Sequence, residues 1–252
     1  MTAYALLLSD PAAEPLSPLP FLSTEGGLST EDARAFLRHN PGFLARNAPF
    51  EPASRLSAAA AAAGLRALLV PETELPAPPP ALQAEKIVPA GAGIQVSGAA
   101  FSVFIPFDGI TVLSAAAYDA EYLPDTLQAV KTGLAARLAS LAGVPPPPAP
   151  GRVMETYFRA DLVGGDGPLR LLLRPEALDF SALAGKPSPS SLQNFRRLLE
   201  ELSSQAFRAA RNAFLPAFLA GKPLARLKIA SPEAADAELS RLLLLSRGGK
   251  PV

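Results

Sequence analysis

The chain has no cysteine and no tryptophan, and only one histidine and two methionines among its 252 residues. Without cysteine there is no disulfide framework, thiolate metal site or cysteine nucleophile. A single histidine, His39, cannot supply the several His and Cys ligands of a zinc centre, so no metal or other cofactor is expected. Neither sign of charge is in excess, with Lys+Arg and Asp+Glu both at 23. That balance lacks the basic footprint of a nucleic-acid binder. No stretch reaches the roughly 18 uninterrupted apolar residues of a membrane span. The N-terminal "MTAYALLLSDPAAEP" has no Lys or Arg before its short apolar run, so the charged region of a secretory leader is missing. A cytoplasmic protein with neither a membrane nor a nucleic-acid partner is expected. No GxxxxGK[ST] or GxSxG motif is present, and the GxG of "GAGIQVSG" (Gly91–Gly98) is followed by a strand pattern, which suits a turn and not a phosphate loop.

What is abundant is proline, 28 residues, within a composition that is 49% hydrophobic and 18% charged. Such a chain can bury a core. "AYALLL" reads as a strand. "LSTEDARAFLRHNPG" reads as a helix capped by Ser29, with Asp32 as capping-box partner, and ended by Asn40-Pro41. His39 then falls at the helix C-terminus, where it suits the last carbonyls. "FLAR" is a short strand. "EPASRLSAAAAAAG" is a second helix with Gly64 as its stop, and "LRALLV" a third strand. "PETELPAPPPAL" behaves as an extended linker. The division is therefore an α/β domain over 1–75, a proline-rich linker over 76–82 and a β-rich domain with C-terminal helices over 83–252. The fold class is α+β.

In the second domain, "KIVPAG", "GIQVSG", "FSVFIPF" and "ITVLSAAAY" are strands with glycine punctuation. A helix is expected over Leu127–Leu141, then the spacer "VPPPPAPG". "VMETYFRADLV" and "PLRLLLRP" flank a Gly-rich turn and form a hairpin, with Asp161 and Asp166 as turn residues. A helix capped by Ser188, with Pro189 in its first turn, buries Leu192, Phe195, Leu198, Leu199 and Leu202. It continues as "RAARNAFLPAFLAG" with a break near Pro216, and "SPEAADAELSRLLLLS" is the last helix.

Gly27-Leu28, Ala33-Arg34, Pro41, Ala53 and Ala63-Gly64, followed by the strand to Val70, keep an ungapped spacing. In this the segment Gly27–Val70 resembles the C-terminal domain of the ribosomal stalk protein L7/L12. The resemblance implies a small α/β sandwich. The basic face with which that family contacts translation factors has no counterpart in "AAEPLSPLPFLSTEG", which carries neither Lys nor Arg. The family's charged helix surface is alanine here, which implies a helix face buried against the remainder of the chain. "LDFSALAGKPSPSSLQNFRRLL" resembles a signature of bacterial proteins that join a stalk-like domain to a β-rich one. "FSVFIPFDGITVL" resembles the strand pair of pleckstrin-homology-like domains, with Phe107 in place of the usual Trp.

Asp119, Glu121 and Asp125 gather beside Tyr118 and Tyr122, and the simplest reading is solvated charges in a loop. Arg196 and Arg197, with Arg208 and Arg211, could meet an acidic partner, while i,i+4 pairing of the first two with Glu200 and Glu201 is simpler. No catalytic constellation is visible. The expected role is a non-enzymatic protein-interaction or scaffold module with an unspecified protein partner, using a sheet edge and the long helix and presenting an apolar patch. Arg196 and Arg197 are candidate interaction residues. The alternative is an enzyme or small-molecule binder with an interdomain pocket lined by Tyr118, Asp119, Tyr157 and Arg159. A translation-associated role rests on the stalk resemblance alone.

Overall fold

Tyr4–Leu8 forms β1, and its two neighbours in a three-stranded antiparallel sheet are β2 (Phe43–Ala48) and β3 (Ala67–Pro71), in the order β2-β1-β3. Helices α1 (Leu19–Thr24) and α2 (Thr30–His39) precede β2, and α3 (Phe50–Ala62) precedes β3. The computed structural model describes residues 2–122, 153–165, 169–183 and 187–248. Ser29 caps α2 as expected: its Oγ accepts the Asp32 amide at 3.0 Å and donates to the Asp32 carboxylate at 2.7 Å. His39 Nδ1 lies 2.9 Å from the Ala35 carbonyl oxygen at the end of the same helix. Gly64 follows α3 in the left-handed region, with φ +76°.

Successive strand residues point to opposite faces, and both faces of β1 are covered. Leu6 and Leu8 pack with Leu22, Ala33, Leu37 and Ala60 beneath the three helices. Ala5 and Leu7 pack with Phe43, Val70 and Leu244 on the other face. Leu244 comes from the last helix, α6 (Pro232–Ser246). This explains the continuous apolar run "YALLL", which a half-solvated strand would not tolerate.

The alanine-rich helix departs from expectation. Ala60 is fully buried, but beneath its own sheet's helices, while Ala58, Ala61, Ala62 and Ala63 are exposed. No other part of the described chain covers that outer face. Docking of the remainder of the chain happens on the opposite side of the sheet.

The rest is mixed β and α. β4 (Ala81–Gln83) pairs parallel with β10 (Leu169–Leu173), which pairs antiparallel with β9 (Val153–Gly164), and β8 (Ile110–Tyr122) completes the order β4-β10-β9-β8. β5 (Lys86–Ala90), β6 (Gly93–Gly98) and β7 (Phe101–Pro106) form a separate antiparallel meander. A 3₁₀ turn at Glu72–Glu74 precedes the linker, and β4 takes in its last residues, Ala81 and Leu82. Helix α4 (Ser191–Gln205) is capped by Ser190, not Ser188. Ser190 Oγ accepts the Gln193 amide at 3.4 Å, and Ser188 Oγ binds the Gln193 side chain at 2.5 Å. α4 does not run on into the following segment. It ends at Ala206, and α5 (Phe214–Leu219) is a separate short helix containing Pro216. The main core joins Ile94, Ile105, Leu113, Leu171, Phe195 and Leu215 from both sheets and the helices.

By its contacts the chain divides into a unit of Met1–Tyr118 with Phe158–Val252 and a smaller unit of Asp119–Tyr157. Asp119 and Glu121 lie on strand β8, not in a loop. The helix expected over Leu127–Leu141, the following proline spacer, Asp125 and Asp166 fall outside the described residues.

Candidate functional site

Two buried polar clusters and one exposed sheet face stand out. The first cluster begins at Asp161, expected in a turn but found in β9 with 2% exposure. Its carboxylate receives Arg159 Nε at 2.9 Å and Arg170 Nε at 2.8 Å. The Nη2 atoms of both arginines converge on Asp236 Oδ1 of α6, at 2.7 and 2.5 Å. Arg159 Nη1 reaches the Pro232 carbonyl at 3.2 Å, and Arg170 Nη1 the Pro79 carbonyl at 3.4 Å. Two guanidinium forks are thus saturated by two carboxylates and two carbonyls. Burial alone would lower the Arg159 pKa, but the Asp161 and Asp236 charges outweigh it and raise it. Burial would raise Asp236, and the two arginine hydrogen bonds instead hold it below its usual range. Charge-neutral and fully paired, the cluster ties β9, β10, the linker and α6 together.

The second cluster runs along α6. Arg241 is completely buried and donates from Nη1 to the carbonyls of Leu8 (3.0 Å) and Asp10 (2.9 Å), and from Nη2 to that of Pro11 (3.1 Å). Glu238 Oε1 lies 3.6 Å from Arg241 Nη2, and Glu238 Oε2 accepts Asn212 Nδ2 at 2.9 Å. Asn212 also spans the Ala115 amide (3.2 Å) and carbonyl (2.7 Å). Burial pushes the Glu238 carboxyl up and the Arg241 guanidinium down, against their mutual attraction. Gly42, at φ +78°, passes directly under Arg241, and a Cβ there would sit 2.2 Å from Nε. This cluster fastens the end of β1 to the C-terminal helix.

The exposed feature is the outer face of the β5-β6-β7 meander. Val88, Gln95 and Phe104 are directly opposite one another in register. Val88 is 36% and Phe104 48% exposed. The alternate residues Ile87, Val96, Ile94 and Ile105 face the core. Phe104 covers Gly93, where a Cβ would lie 2.7 Å from its ring. Shallow clefts lie elsewhere, among them two lined mainly by apolar residues. One, of about 430 Å³, is formed by Ala45, Ala48, Pro52, Leu56 and Ala59 with Arg55 at α3. The other, of about 580 Å³, brings Ala12 and Glu14 together with Pro216, Lys222 and Arg226.

The residues singled out in the sequence fall on strands β8 and β9 and on and after helix α4. Arg159 belongs to the first ion cluster. Tyr118 is buried in β8 and bridges to Ile229. Asp119 accepts Thr156 Oγ1 at 2.6 Å, and Tyr157 lies with it in the smaller unit. Arg196 does not pair within its helix but donates Nε to the Leu219 carbonyl at 2.9 Å, fastening α4 to α5. Arg197 lines a depression with Leu183, Glu200, Glu201 and Ser204. Arg208 stacks over the exposed Phe207 ring, 5.5 Å from its centroid, and Arg211 donates to Ser203 and Ala206 carbonyls at the end of α4. Sequence reasoning missed Asp161, Arg170, Asp236, Asn212, Glu238 and Arg241. The one available signal was charge inside apolar runs, as in "LRLLL" and "ELSRLLLL".

Among the described residues, no group of three or more His, Asp or Glu is placed to hold a metal ion, and no helix is long and apolar enough to cross a membrane. Comparison with protein-family models, with curated proteins and with solved structures finds no match to the chain.

Proposed function

We propose that this chain is a non-enzymatic protein-interaction or scaffold module that works in the cytoplasm and binds its partner on the outer face and open edge of the β5-β6-β7 meander. One observation carries the reading: the Val88–Gln95–Phe104 row is apolar at both ends, exposed, and stops at a strand with no charged residue. Such an edge takes an added strand, with main-chain hydrogen bonds for affinity and alternate side chains for selectivity. The two clusters support the same reading, since their charged groups bond mainly to one another and to main-chain carbonyls that hold the platform together.

Selection from a displayed random-peptide library with the full chain tests this. Enriched peptides should alternate apolar residues and slow amide exchange at Ser102 and Phe104, and Phe104→Lys should abolish their binding. No enrichment over the Phe104→Lys variant disposes of the proposal.

A small-molecule site is the second reading, favoured by the cleft in which Glu14 meets Lys222 and Arg226. A thermal-shift screen of small anionic ligands against the chain and its Arg226→Glu variant decides it, because no ligand-dependent shift removes it. The stalk-like reading of residues 1–75 is supported by the order strand, helix, helix, strand, helix, strand. A role in translation would follow from it only if the chain co-sediments with ribosomes.

A further inference from the structure

We infer that the partner of the β7 edge is a second copy of this chain, paired antiparallel through β7 about a two-fold axis at Val103; this rests on the meander being the interaction surface. The two edges of the meander differ. On β5, the Lys86–Asp179 bridge, reinforced by a 2.9 Å ion pair, covers the start, and Pro89 has no N–H to offer. Those are the devices that blunt an edge strand. β7 has neither. Its register places Phe101, Val103 and Ile105 opposite Gly98, Val96 and Ile94, and Phe107 N donates to Ala92 O at 2.9 Å. In an antiparallel ladder that parity turns the main-chain groups of Phe101, Val103 and Ile105 toward β6 and those of Ser102 and Phe104 outward.

The outward groups complement themselves. With Val103 opposite Val103 of the second copy, Ser102 and Phe104 exchange N–H···O bonds with the second copy's Phe104 and Ser102. Every residue from Phe101 to Ile105 is then paired. Phe104 stands opposite the second copy's Ser102 and diagonal to its Phe104, within aromatic reach. The Val88–Gln95–Phe104 row thereby continues across the axis. Charge permits this arrangement: β7 has none, and Lys86, the one charged residue among the paired positions of the meander, lies two strands from the axis. A two-fold axis makes the contact closed, so a dimer forms and not a fibre. So short a strand pairing falls below the ~1,000 Å² of a specific stable interface, which makes the dimer reversible.

Sedimentation of the full chain over a rising concentration series tests this. The mass should climb from 26.2 kDa toward twice that value, while Ser102→Pro and Phe104→Lys remain at the monomer mass. Ser102→Pro leaves the β6 ladder intact, and Phe104→Lys alters a half-exposed side chain, so at least one variant reports on a folded chain. The absence of cysteine supplies a second probe: Val103→Cys falls at a close, non-hydrogen-bonded pair where a disulfide fits. Under mild oxidation it should give covalent dimer in excess of Ala90→Cys. A mass fixed at 26.2 kDa, equal cross-linking by the two cysteine variants, or a dimer untouched by both edge variants overturns the inference. If the chain stays monomeric yet library peptides still protect β7, self-pairing alone is wrong and the interaction surface stands. If both fail, the surface itself is wrong.

Discussion

Gly42→Ala measures how firmly the last helix is fastened to the first sheet. Two costs add at this position. The residue sits at φ +78°, a left-handed conformation that costs a side-chain-bearing residue about 1–2 kcal/mol. The new Cβ would also lie 2.2 Å from Arg241 Nε, 2.5 Å from Cζ and 2.7 Å from Cδ. Arg241 cannot swing aside freely, because the carbonyls of Leu8, Asp10 and Pro11 hold both terminal nitrogens. Displacing it sacrifices at least one hydrogen bond to a buried charge, worth roughly 1.5–3 kcal/mol. The sum is about 2.5–5 kcal/mol, which for a chain of this size lowers the melting temperature by roughly 5–20 °C. Urea unfolding monitored by circular dichroism gives the difference directly. Gly27→Ala is the control: its φ is +67° with nothing within 4 Å of the added Cβ, so it should show the conformational cost of ~1–2 kcal/mol alone. Equal losses in the two variants would refute the idea that Arg241 is clamped over Gly42.

Ala60→Lys should destabilise by about 3 kcal/mol or more, because it places an ammonium among apolar side chains, while Ala61→Lys on the exposed face should stay within about 0.5 kcal/mol; equal tolerance at both positions would show that the helix is rotated from the orientation described. Asp161→Asn leaves two buried guanidinium groups short of a carboxylate and should cost about 3–5 kcal/mol in the same unfolding assay, a loss under 1 kcal/mol counting against the cluster as a clamp. The Lys86 hydrogen bond, with those of Ser181, lowers the Asp179 pKa from 3.8 to about 2. A carboxyl lowered on folding stabilises above its unfolded value and loses that contribution as pH falls from there through the folded one. Protection of the Asp179 amide, which donates to the Glu85 carbonyl, should therefore decline between pH 3.8 and about 2, and in Lys86→Met the decline should move to higher pH. An unchanged profile in Lys86→Met would separate the bridge from the titration.

The local elements were legible because their signals are local. Ser29 and Asp32 cap α2 through atoms three residues apart, and Ser231-Pro232 opens α6 in the same way. Gly64 ends α3 for a conformational reason that needs no neighbour. Strands β9 and β10 pair as the expected hairpin, with a register that runs from Gly164–Leu169 to Ala160–Leu173. Where two local signals are near-equivalent, tertiary partners decide between them. Ser188 and Ser190 both suit a cap, and the structure uses Ser190 because Ser188 is engaged with Asn194 and Gln193. Arg196 had a plausible partner one turn away, yet a carbonyl on another helix offers it a partly buried hydrogen bond instead.

By itself the sequence determined an α+β chain of capped helices and alternating strands, free of cysteine chemistry and neutral in charge. The apolar run "YALLL" reads as a strand, and the structure covers that strand on both sides. Which element covers it was decided only in three dimensions. Arg241 meets the carbonyls of Leu8, Asp10 and Pro11, and Asp236 meets Arg159 and Arg170, across separations of 66 to 233 residues. No periodicity spans such distances, because a buried ion pair is specified by where two surfaces meet and not by the spacing of residues within either. The same holds for the alanine helix. Its composition suits a helix, but whether its outer face meets water or protein depends on which side of the sheet α6 occupies.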